Sequence, residues 1–300
     1  MKTIYSSKNL ATLLSVNEST IKRWSDEGHI ECTKTKGGHR RFSIPSIMKF
    51  IQENKLGVPE IATQLFDKRE LHAQLLVGNN QPLVEEIRKA GLEGDVQTVL
   101  SILRIALASN PDLLKLYSDV LFPPLMQLGE EWASGAISVD MEHLASHTIT
   151  EALCRMQSDI PTKDHNGLRA LCACFEGEMH ETALYCVSSY LTSEGWHVYH
   201  LGADTPTPDL IGAVDRRKPN LVVLNAVVIE DEWKFLNHVS DSILPAVHRI
   251  GGTLVLGGTN LEERFGKKLK ADKISSSILD FRTIGNPAEF RKGWMHRREG

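Results

Sequence analysis

Apolar positions recur with two different periods along the chain, and the change of period divides it into regions. From Ile61 to about Ser158 they follow a helical period without strand signals, with breaks at 78–82, 91–94, 110–111 and 123–124. From Leu168 onward, compact apolar runs alternate with helical stretches. The first pattern predicts a helical bundle whose last helix spans about 138–157, and the second predicts an α/β domain.

The α/β region is expected to form a doubly wound parallel sheet of the flavodoxin-like kind, because strand and helix signals follow each other in series. Strands are predicted at 168–175, 197–201, 221–227 and 253–256, with a last short strand near 281–284, and helices at 181–193, 207–217, 231–248 and 260–269. Ligands of such sheets bind beyond the carboxyl ends of the strands. The candidate binding loops are therefore 176–180, 202–208, 225–230 and 257–260.

The first 57 residues predict a helix-turn-helix followed by a wing. Leu10 and Leu14 share a face of the first helix, while Ile21 and Trp24 face inward from the second, which Gly28 ends. The second helix of such a unit enters the major groove of DNA, so its outward residues are candidate DNA contacts: Thr20, Lys22 and Arg23. A Gly-Gly hairpin turn follows, edged by residues suited to gripping phosphates: Lys36, His39, Arg40 and Arg41.

Charge separates this head from the rest of the chain. Residues 1–57 carry ten Lys/Arg and five Asp/Glu, a net +5, so the other 243 residues carry −9, given the total of −4. A basic head on an acidic body indicates a polyanionic partner for the head. The whole chain therefore predicts a multidomain α and α/β protein: a winged helix-turn-helix at 1–57, a linker at 58–80, a helical bundle at 81–160 and the α/β domain at 166–290.

Composition narrows the class of protein further. With 41% apolar and 24% charged residues, the chain is ordinary globular rather than disordered or fibrous. No apolar run approaches the roughly 20 residues of a membrane span, and the first residues lack the apolar core of a secretory signal. The five cysteines are odd in number. We therefore expect a cytoplasmic protein with reduced thiols and no membrane partner.

The head resembles the MerR family of winged-helix regulators over about residues 3–57. The resemblance rests on the motifs at 20–24, 28–30 and 38–42, of which the last is the most specific. It implies that Lys22 and Arg23 face double-stranded DNA at a promoter or operator, while Arg40 and Arg41 anchor the wing. MerR proteins usually dimerise through a coiled coil after the head, but the segment 56–59 contains Gly and Pro and interrupts any continuous helix. Assembly is therefore expected to use other surfaces.

A histidine stands in the first predicted loop of the α/β domain. The glycine-rich G-x-G-x-x-G motif is absent after the first strand, which argues against a dinucleotide. His180 in this loop can give one ring nitrogen to a metal, while the neighbouring acid, Glu178, holds the other ring N–H. Gly257 and Gly258 lack a Cβ, so a ligand can approach their backbone.

Residues of about 168–286 resemble the cobalamin-binding domain of methionine synthase, corrinoid proteins and cobalamin-dependent mutases, whose motif reads Asp/Glu-x-His-x-x-Gly, then a Ser motif, then Gly-Gly. The resemblance implies that His180 is the lower ligand of cobalt, with Glu178 as its hydrogen-bond partner. Ala183 stands where the family has Gly, and Asn225 begins the segment that replaces the Ser motif. The resemblance also implies further cofactor contacts: Glu181, Thr182, Ala183, Asn225, Val227, Gly257 and Gly258.

In the predicted bundle, Trp132 is followed at a distance by Glu142 and His143. Alone these residues carry little signal, because a Trp is typical of a core and a Glu-His pair of a solvated surface. Head, bundle and α/β domain in this order resemble the light-responsive cobalamin regulators of the CarH, CarA and LitR group over nearly the whole chain. That resemblance implies that the three residues lie near an adenosyl upper ligand. It also implies a homo-tetramer in the dark that changes its assembly, and so its hold on DNA, in light.

One departure from that group affects the mechanism. Ala133 occupies the place where well-known members carry a histidine directly after the Trp. Three alternatives stay open: His143 or His147 substitutes, the light-adapted state keeps water, or the domain senses another ligand, such as a bilin or a methylated cobalamin. We expect a transcriptional regulator that acts as a repressor and not as an enzyme. The alternative from the enzyme class is a corrinoid methyl carrier or mutase subunit, which would have no need of the basic head.

Overall fold

The computed structural model describes residues 4–14, 16–43, 46–47, 49–50, 79–109 and 112–295. The chain forms two compact units, Met1–Met156 and Gln157–Gly300. The predicted linker at 58–80 lies outside the described residues except for 79–80, as do the segment 56–59 and the break at 110–111. Among the helices within the described ranges, none is long and apolar enough to cross a membrane.

The head, at the start of the first unit, packs two helices against a small antiparallel sheet. Leu10, Ile21 and Phe42 are fully buried in its core, and Gly28, at φ 77°, follows the second helix as predicted. A first strand was not predicted, because three residues are too few to show a period of two. The elements are β1 (Ile4–Ser6), α1 (Ser7–Leu13), α2 (Glu18–Asp26), β2 (Thr33–Lys34) and β3 (Arg40–Ser43), in the strand order β1-β3-β2.

From residue 79 onward, the described part of the first unit is a helical bundle. Its helices are α3 (Gln81–Leu92), α4 (Val96–Ser109), α5 (Leu113–Leu116), α6 (Phe122–Ala133) and α7 (Val139–Met156), and α7 packs against α3, α4 and α6. The break predicted at 123–124 is wrong. A π-helical turn, Tyr117–Leu121, joins α5 directly to α6. Pro123 and Pro124 then fall in the first turn of α6, where a missing backbone N–H costs little.

The second unit contains a five-stranded parallel sheet, which confirms the doubly wound α/β prediction. The strands are β4 (Arg169–Phe175), β5 (His197–Thr205), β6 (Leu221–Asn225), β7 (Thr253–Gly257) and β8 (Lys273–Ser275), in the order β5-β4-β6-β7-β8. The helices are α8 (Thr182–Ser193), α9 (Thr207–Arg217), α10 (Glu232–Asn237), α11 (Leu244–Arg249), α12 (Leu261–Phe265), α13 (Phe281–Ile284) and α14 (Pro287–Met295), with a π-helical segment, His238–Ile243, between α10 and α11.

The last predicted strand is wrong. The final strand is β8, and residues 281–284 form the helix α13 instead. Ser277 and Asp280 form a capping box at the turn that leads into α13. Phe281 and Ile284 are both buried, and their spacing of three residues puts them on one helical face.

The site is positioned by a reversal in the order of the strands. β4 and β6 are neighbours although β5 lies between them in sequence, so the chain extends the sheet in one direction from β4 and in the other from β6. The loops that leave two such strands diverge and open a crevice at their carboxyl ends. The loop after β4 carries His180, and Asn225 ends β6, so the two predicted binding loops meet at this point.

Candidate functional site

The loop after β4 presents His180 at the carboxyl edge of the sheet. The imidazole is 65% exposed, whereas the side chain of Glu178, two residues earlier, is fully buried. His180 Nδ1 lies 2.7 Å from Glu178 Oε1, which also accepts the backbone N–H of His180 at 2.7 Å. Because an ionised carboxylate only accepts hydrogen bonds, Nδ1 carries the proton. Nε2 is then the ring nitrogen whose lone pair can coordinate a metal.

Glu178 stays ionised in spite of its burial. Burial alone raises the pKa of a carboxyl, but the donors around Glu178, first the His180 ring and backbone and then the amides of Val228 and Val227, outweigh it and hold the pKa of Glu178 below its ordinary value. These two amides lie 2.7 and 2.5 Å from Oε2. Glu178 therefore fixes the orientation of the imidazole and joins the loop after β4 to the loop after β6.

Asn225 and Cys174 hold the backbone of the histidine. Asn225 Nδ2 donates to the His180 carbonyl oxygen at 2.8 Å, and Cys174 Sγ lies 3.8 Å from the same oxygen. Burial raises the pKa of the Cys174 thiol to about 12. Only a thiolate binds a metal well, so at neutral pH Cys174 does not compete with His180 for one.

Gly258, in the loop after β7, lies close to the backbone of the loop after β6. A Cβ at Gly258 would come within 2.1 Å of the Ala226 carbonyl oxygen and 2.9 Å of Leu261 Cδ1. At Gly257 the nearest atom to such a Cβ is Asn225 Oδ1, at 3.5 Å, which is an ordinary contact. Of the two glycines, only Gly258 therefore excludes every side chain.

We expect Gly258→Ala to lower the free energy of unfolding by about 2 kcal/mol or more, because the loops after β6 and β7 must separate to admit the methyl group. Gly257→Ala adds the same methyl group one residue earlier and is the matched control, with an expected loss of about 0.5 kcal/mol or less. Urea unfolding of both variants measures the difference. Equal losses for the two variants would show that the close approach at Gly258 is not a constraint.

The remaining predicted contacts of the α/β domain lie around the same edge. Glu181 immediately precedes α8, and Thr182 and Ala183 are its first residues; all three are half-buried. Val227 contributes through its backbone N–H to Glu178. The residues that the structure brings together at the carboxyl ends of β4, β6 and β7 are Glu178, His180, Glu181, Thr182, Ala183, Asn225, Val227, Gly257 and Gly258.

The predicted upper-face residues belong to the other unit. Trp132, near the end of α6, is 51% exposed, and Ala133 and His147 are exposed as well. Glu142 and His143 lie near the start of α7, where Glu142 Oε1 accepts a hydrogen bond from Ser146 Oγ. Trp132 is one of the large hydrophobic side chains that the described part of the bundle leaves exposed.

Sequence reasoning missed three polar anchors of the site. Val228 donates its backbone N–H to Glu178. The Asp204 carboxylate accepts the Gly177 N–H at 2.7 Å, and the backbone of Asp204 has a positive φ of 44°. Burial disfavours ionisation of Glu176, but the hydrogen bonds from Lys234 and Thr207 outweigh it and lower the pKa of Glu176 to about 2. A positive φ at Asp204 and donors on the backbone have no signature in residue types, so only the structure could identify them.

The head exposes most of its predicted DNA contacts. Lys22 and Arg23 are exposed on α2, where Lys22 Nζ lies 2.8 Å from Glu18 Oε1, and Thr20 is half-buried. Of the predicted contacts in the wing, Lys36, His39 and Arg41 are exposed. Arg40 is different: its side chain is 17% exposed and contacts Asp26.

Comparison with known protein families identifies the head, the helical bundle and the α/β domain. A family described as "B12 binding domain" matches residues 83–155, a second family with the same description matches 168–273, and "Helix-turn-helix domain" matches 4–55. The chain carries B12-binding domains behind a helix-turn-helix domain. These matches and the relatives below confirm the sequence prediction of a MerR-type, CarH-like regulator that binds cobalamin.

Two relatives cover most of the B12-binding chain. The HTH-type transcriptional repressor CarA of Myxococcus xanthus is 28% identical over 251 residues, which cover 79% of this chain and 81% of the relative. The repressor CarH of the same organism is 28% identical over 234 residues, 72% of this chain and 77% of the relative. The solved structure of the Methanosarcina barkeri monomethylamine corrinoid protein covers 70% of this chain and 99% of its own, with a TM-score of 0.58 at 16% identity, so it shares the fold.

Proposed function

We propose that this chain is a light-responsive, B12-dependent transcriptional repressor and not an enzyme. The observation that carries the proposal is the exposed imidazole of His180, oriented by the fully buried Glu178, in a chain that also has a helix-turn-helix domain. The M. xanthus relatives are named as transcriptional repressors and support the same role. Such a protein would act in the cytoplasm.

The side chains at the carboxyl edge of the sheet fit a cobalamin. His180 would hold the cobalt through Nε2, Glu178 keeps the required tautomer, and the protonated Cys174 does not compete. The other residues of this edge would hold the rest of the cofactor: Glu181, Thr182, Ala183, Asn225, Val227, Gly257 and Gly258. Trp132, Glu142 and His143 would lie near the upper ligand. Adenosylcobalamin, when bound, supplies a cobalt–carbon bond that light breaks.

In this proposal each region has one task. Residues 1–57 bind the operator through Thr20, Lys22, Arg23 and the wing, residues 58–80 connect, residues 81–160 cover the cofactor and residues 166–290 hold it. The cofactor-bound chain is a homo-tetramer in the dark and a smaller species in light. Light then shifts the population between two assemblies that differ in their contacts with DNA.

The test is binding of the full-length protein to DNA from upstream of its own gene, measured in three states: without cofactor, with adenosylcobalamin in the dark, and with adenosylcobalamin after green light. We expect tight binding only in the second state, together with the largest mass by light scattering. Parallel samples with methylcobalamin and with a bilin identify the ligand. Equal DNA binding in all three states would contradict the proposal.

A corrinoid methyl carrier is the second candidate function. Its support is the fold shared with the M. barkeri corrinoid protein, together with Ala133, which removes the imidazole that the regulators carry after the tryptophan. The same measurement separates the two candidates. A protein that binds methylcobalamin but binds no DNA in any state would be the carrier.

A further inference from the structure

Arg40 and Arg41 are adjacent on β3 but lie in different environments. Side chains alternate between the two faces of a strand, so Arg40 shares a face with Phe42, which is fully buried in the head core. The side chain of Arg40 is accordingly 17% exposed, whereas Arg41 is exposed. The two arginines of the wing motif therefore cannot have the same role.

Arg40 contacts the end of α2, the second helix of the helix-turn-helix, called the recognition helix below. Its Nη2 lies 2.6 and 2.8 Å from the two carboxylate oxygens of Asp26, the last residue of α2. Lys34, directly opposite Arg40 in the β2–β3 ladder, has its Nζ 3.5 Å from Asp26 Oδ1. Both strands of the wing thus contact a single carboxylate on α2.

This contact persists at neutral pH. The hydrogen bond from Arg40, with the nearby charges of Arg40 and Lys34, holds the pKa of Asp26 below its ordinary value. A guanidinium already bound to a carboxylate would have to break that contact before it could bind a phosphate. Arg41 lies on the opposite face of the strand and would not have to break a contact with Asp26 to bind a phosphate.

We propose that Arg40 is a positioning residue that sets the angle of the wing against the recognition helix through Asp26, while Arg41 binds the DNA backbone. The inference rests on the proposed DNA-binding function. Helix and wing must meet their parts of the duplex at the same time, and a wing already fixed to α2 loses less conformational freedom on binding. The Arg40–Asp26 contact therefore contributes to affinity without touching DNA.

Asp26→Ala gives the sharpest test, because the positioning role and an account based on charge alone predict opposite changes in DNA affinity. The variant makes the head more positive and frees Arg40, so an account based on charge alone predicts tighter DNA binding. The positioning role predicts weaker binding, by about threefold or more, on the scale of an exposed ion pair. Fluorescence anisotropy of full-length protein with its operator DNA measures the change, and tighter binding by Asp26→Ala would overturn the proposal.

Salt dependence separates the two arginines. Arg41→Ala should reduce the slope of log affinity against log salt by about 1, because one phosphate contact is lost. Arg40→Ala should weaken binding at every salt concentration without changing the slope. A slope that falls equally for Arg40→Ala and Arg41→Ala would assign a phosphate to both and overturn the positioning role.

Two further variants keep the test independent of folding defects. Asp26→Glu keeps a carboxylate for Arg40 and Lys34 and should retain most of the affinity that Asp26→Ala loses. Arg249→Ala removes a similar contact with both oxygens of Asp215 in the second unit and should leave DNA binding unchanged. If Asp26→Glu loses as much affinity as Asp26→Ala while the head remains folded by circular dichroism, the positioning role is wrong. Wild-type protein that binds no DNA would instead overturn the proposed function.

Discussion

Replacing His180 with alanine should weaken adenosylcobalamin binding at least about tenfold, the scale of losses when the ligand set of a metal is disturbed. The reason is geometric. The Glu178 carboxylate holds Nδ1 of an imidazole that is 65% exposed, so Nε2 is the ring nitrogen that can coordinate the cobalt. Without the imidazole, the cobalt would be coordinated by water or by the cofactor's own base. The absorption spectrum of the bound cofactor should therefore change. Titration followed by absorption spectroscopy measures both effects.

His197→Ala is the matched control for His180→Ala. It removes another exposed imidazole of the same unit, on the edge strand β5, where His197 packs against the ring of Tyr199. We expect an unchanged affinity and spectrum for this variant. Wild-type affinity and an unaltered spectrum for His180→Ala would remove His180 from the cofactor site.

Replacing Glu178 with alanine should affect both folding and binding. The fully buried carboxylate accepts four hydrogen bonds, two from His180 and one each from Val227 and Val228. Their loss leaves buried donors unsatisfied and should lower the free energy of unfolding by about 3 kcal/mol. The imidazole also loses its orientation, and cofactor affinity should fall about 10- to 100-fold. Urea unfolding and cofactor titration measure the two losses.

The effect of Glu178 on stability should depend on pH. Its pKa is lowered in the folded protein, so its contribution is fully present above the unfolded value near 4.5 and is lost as pH falls through the folded value. The difference in unfolding free energy between wild type and Glu178→Ala should therefore shrink as pH falls below about 4.5. Glu263→Ala, which removes an exposed carboxylate from α12, should change stability by about 0.5 kcal/mol or less. A difference for Glu178→Ala that stays constant down to acid pH would contradict the role of the charged carboxylate.

The periodicity of the sequence was sufficient to predict the doubly wound sheet and the helix-turn-helix. The periodicity gave a wrong secondary structure at two places, where local backbone geometry determines whether the chain is helical. Residues 281–284, predicted as a strand, form a helix after the capping box of Ser277 and Asp280. The two prolines predicted to break the bundle lie in the first turn of α6, directly after the π-helical turn at Tyr117–Leu121. Neither feature changes the spacing of apolar residues, so periodicity alone could not reveal it.

For the candidate site, the sequence predicted the main side chains but not the backbone groups that hold them. The spacing of Glu178 and His180 points to a metal ligand with a hydrogen-bonded partner, and the structure joins these two side chains directly. The backbone donors that keep Glu178 ionised could not be predicted, because an N–H carries no residue identity. The wing motif reads as a pair of equivalent cations, and only the pairing of Arg40 with Asp26 distinguishes its members.

The central claim, that a nitrogen of His180 coordinates the cobalt of a bound cobalamin, is tested most directly by electron paramagnetic resonance. The protein would be labelled uniformly with nitrogen-15, loaded with unlabelled cobalamin and reduced to the paramagnetic cobalt(II) form. A histidine ligand from the labelled protein splits each cobalt line into a doublet, whereas the unlabelled base of the cofactor splits it into a triplet. We predict doublets for the wild-type protein and their loss in His180→Ala. Triplets in the labelled wild-type sample would contradict the account.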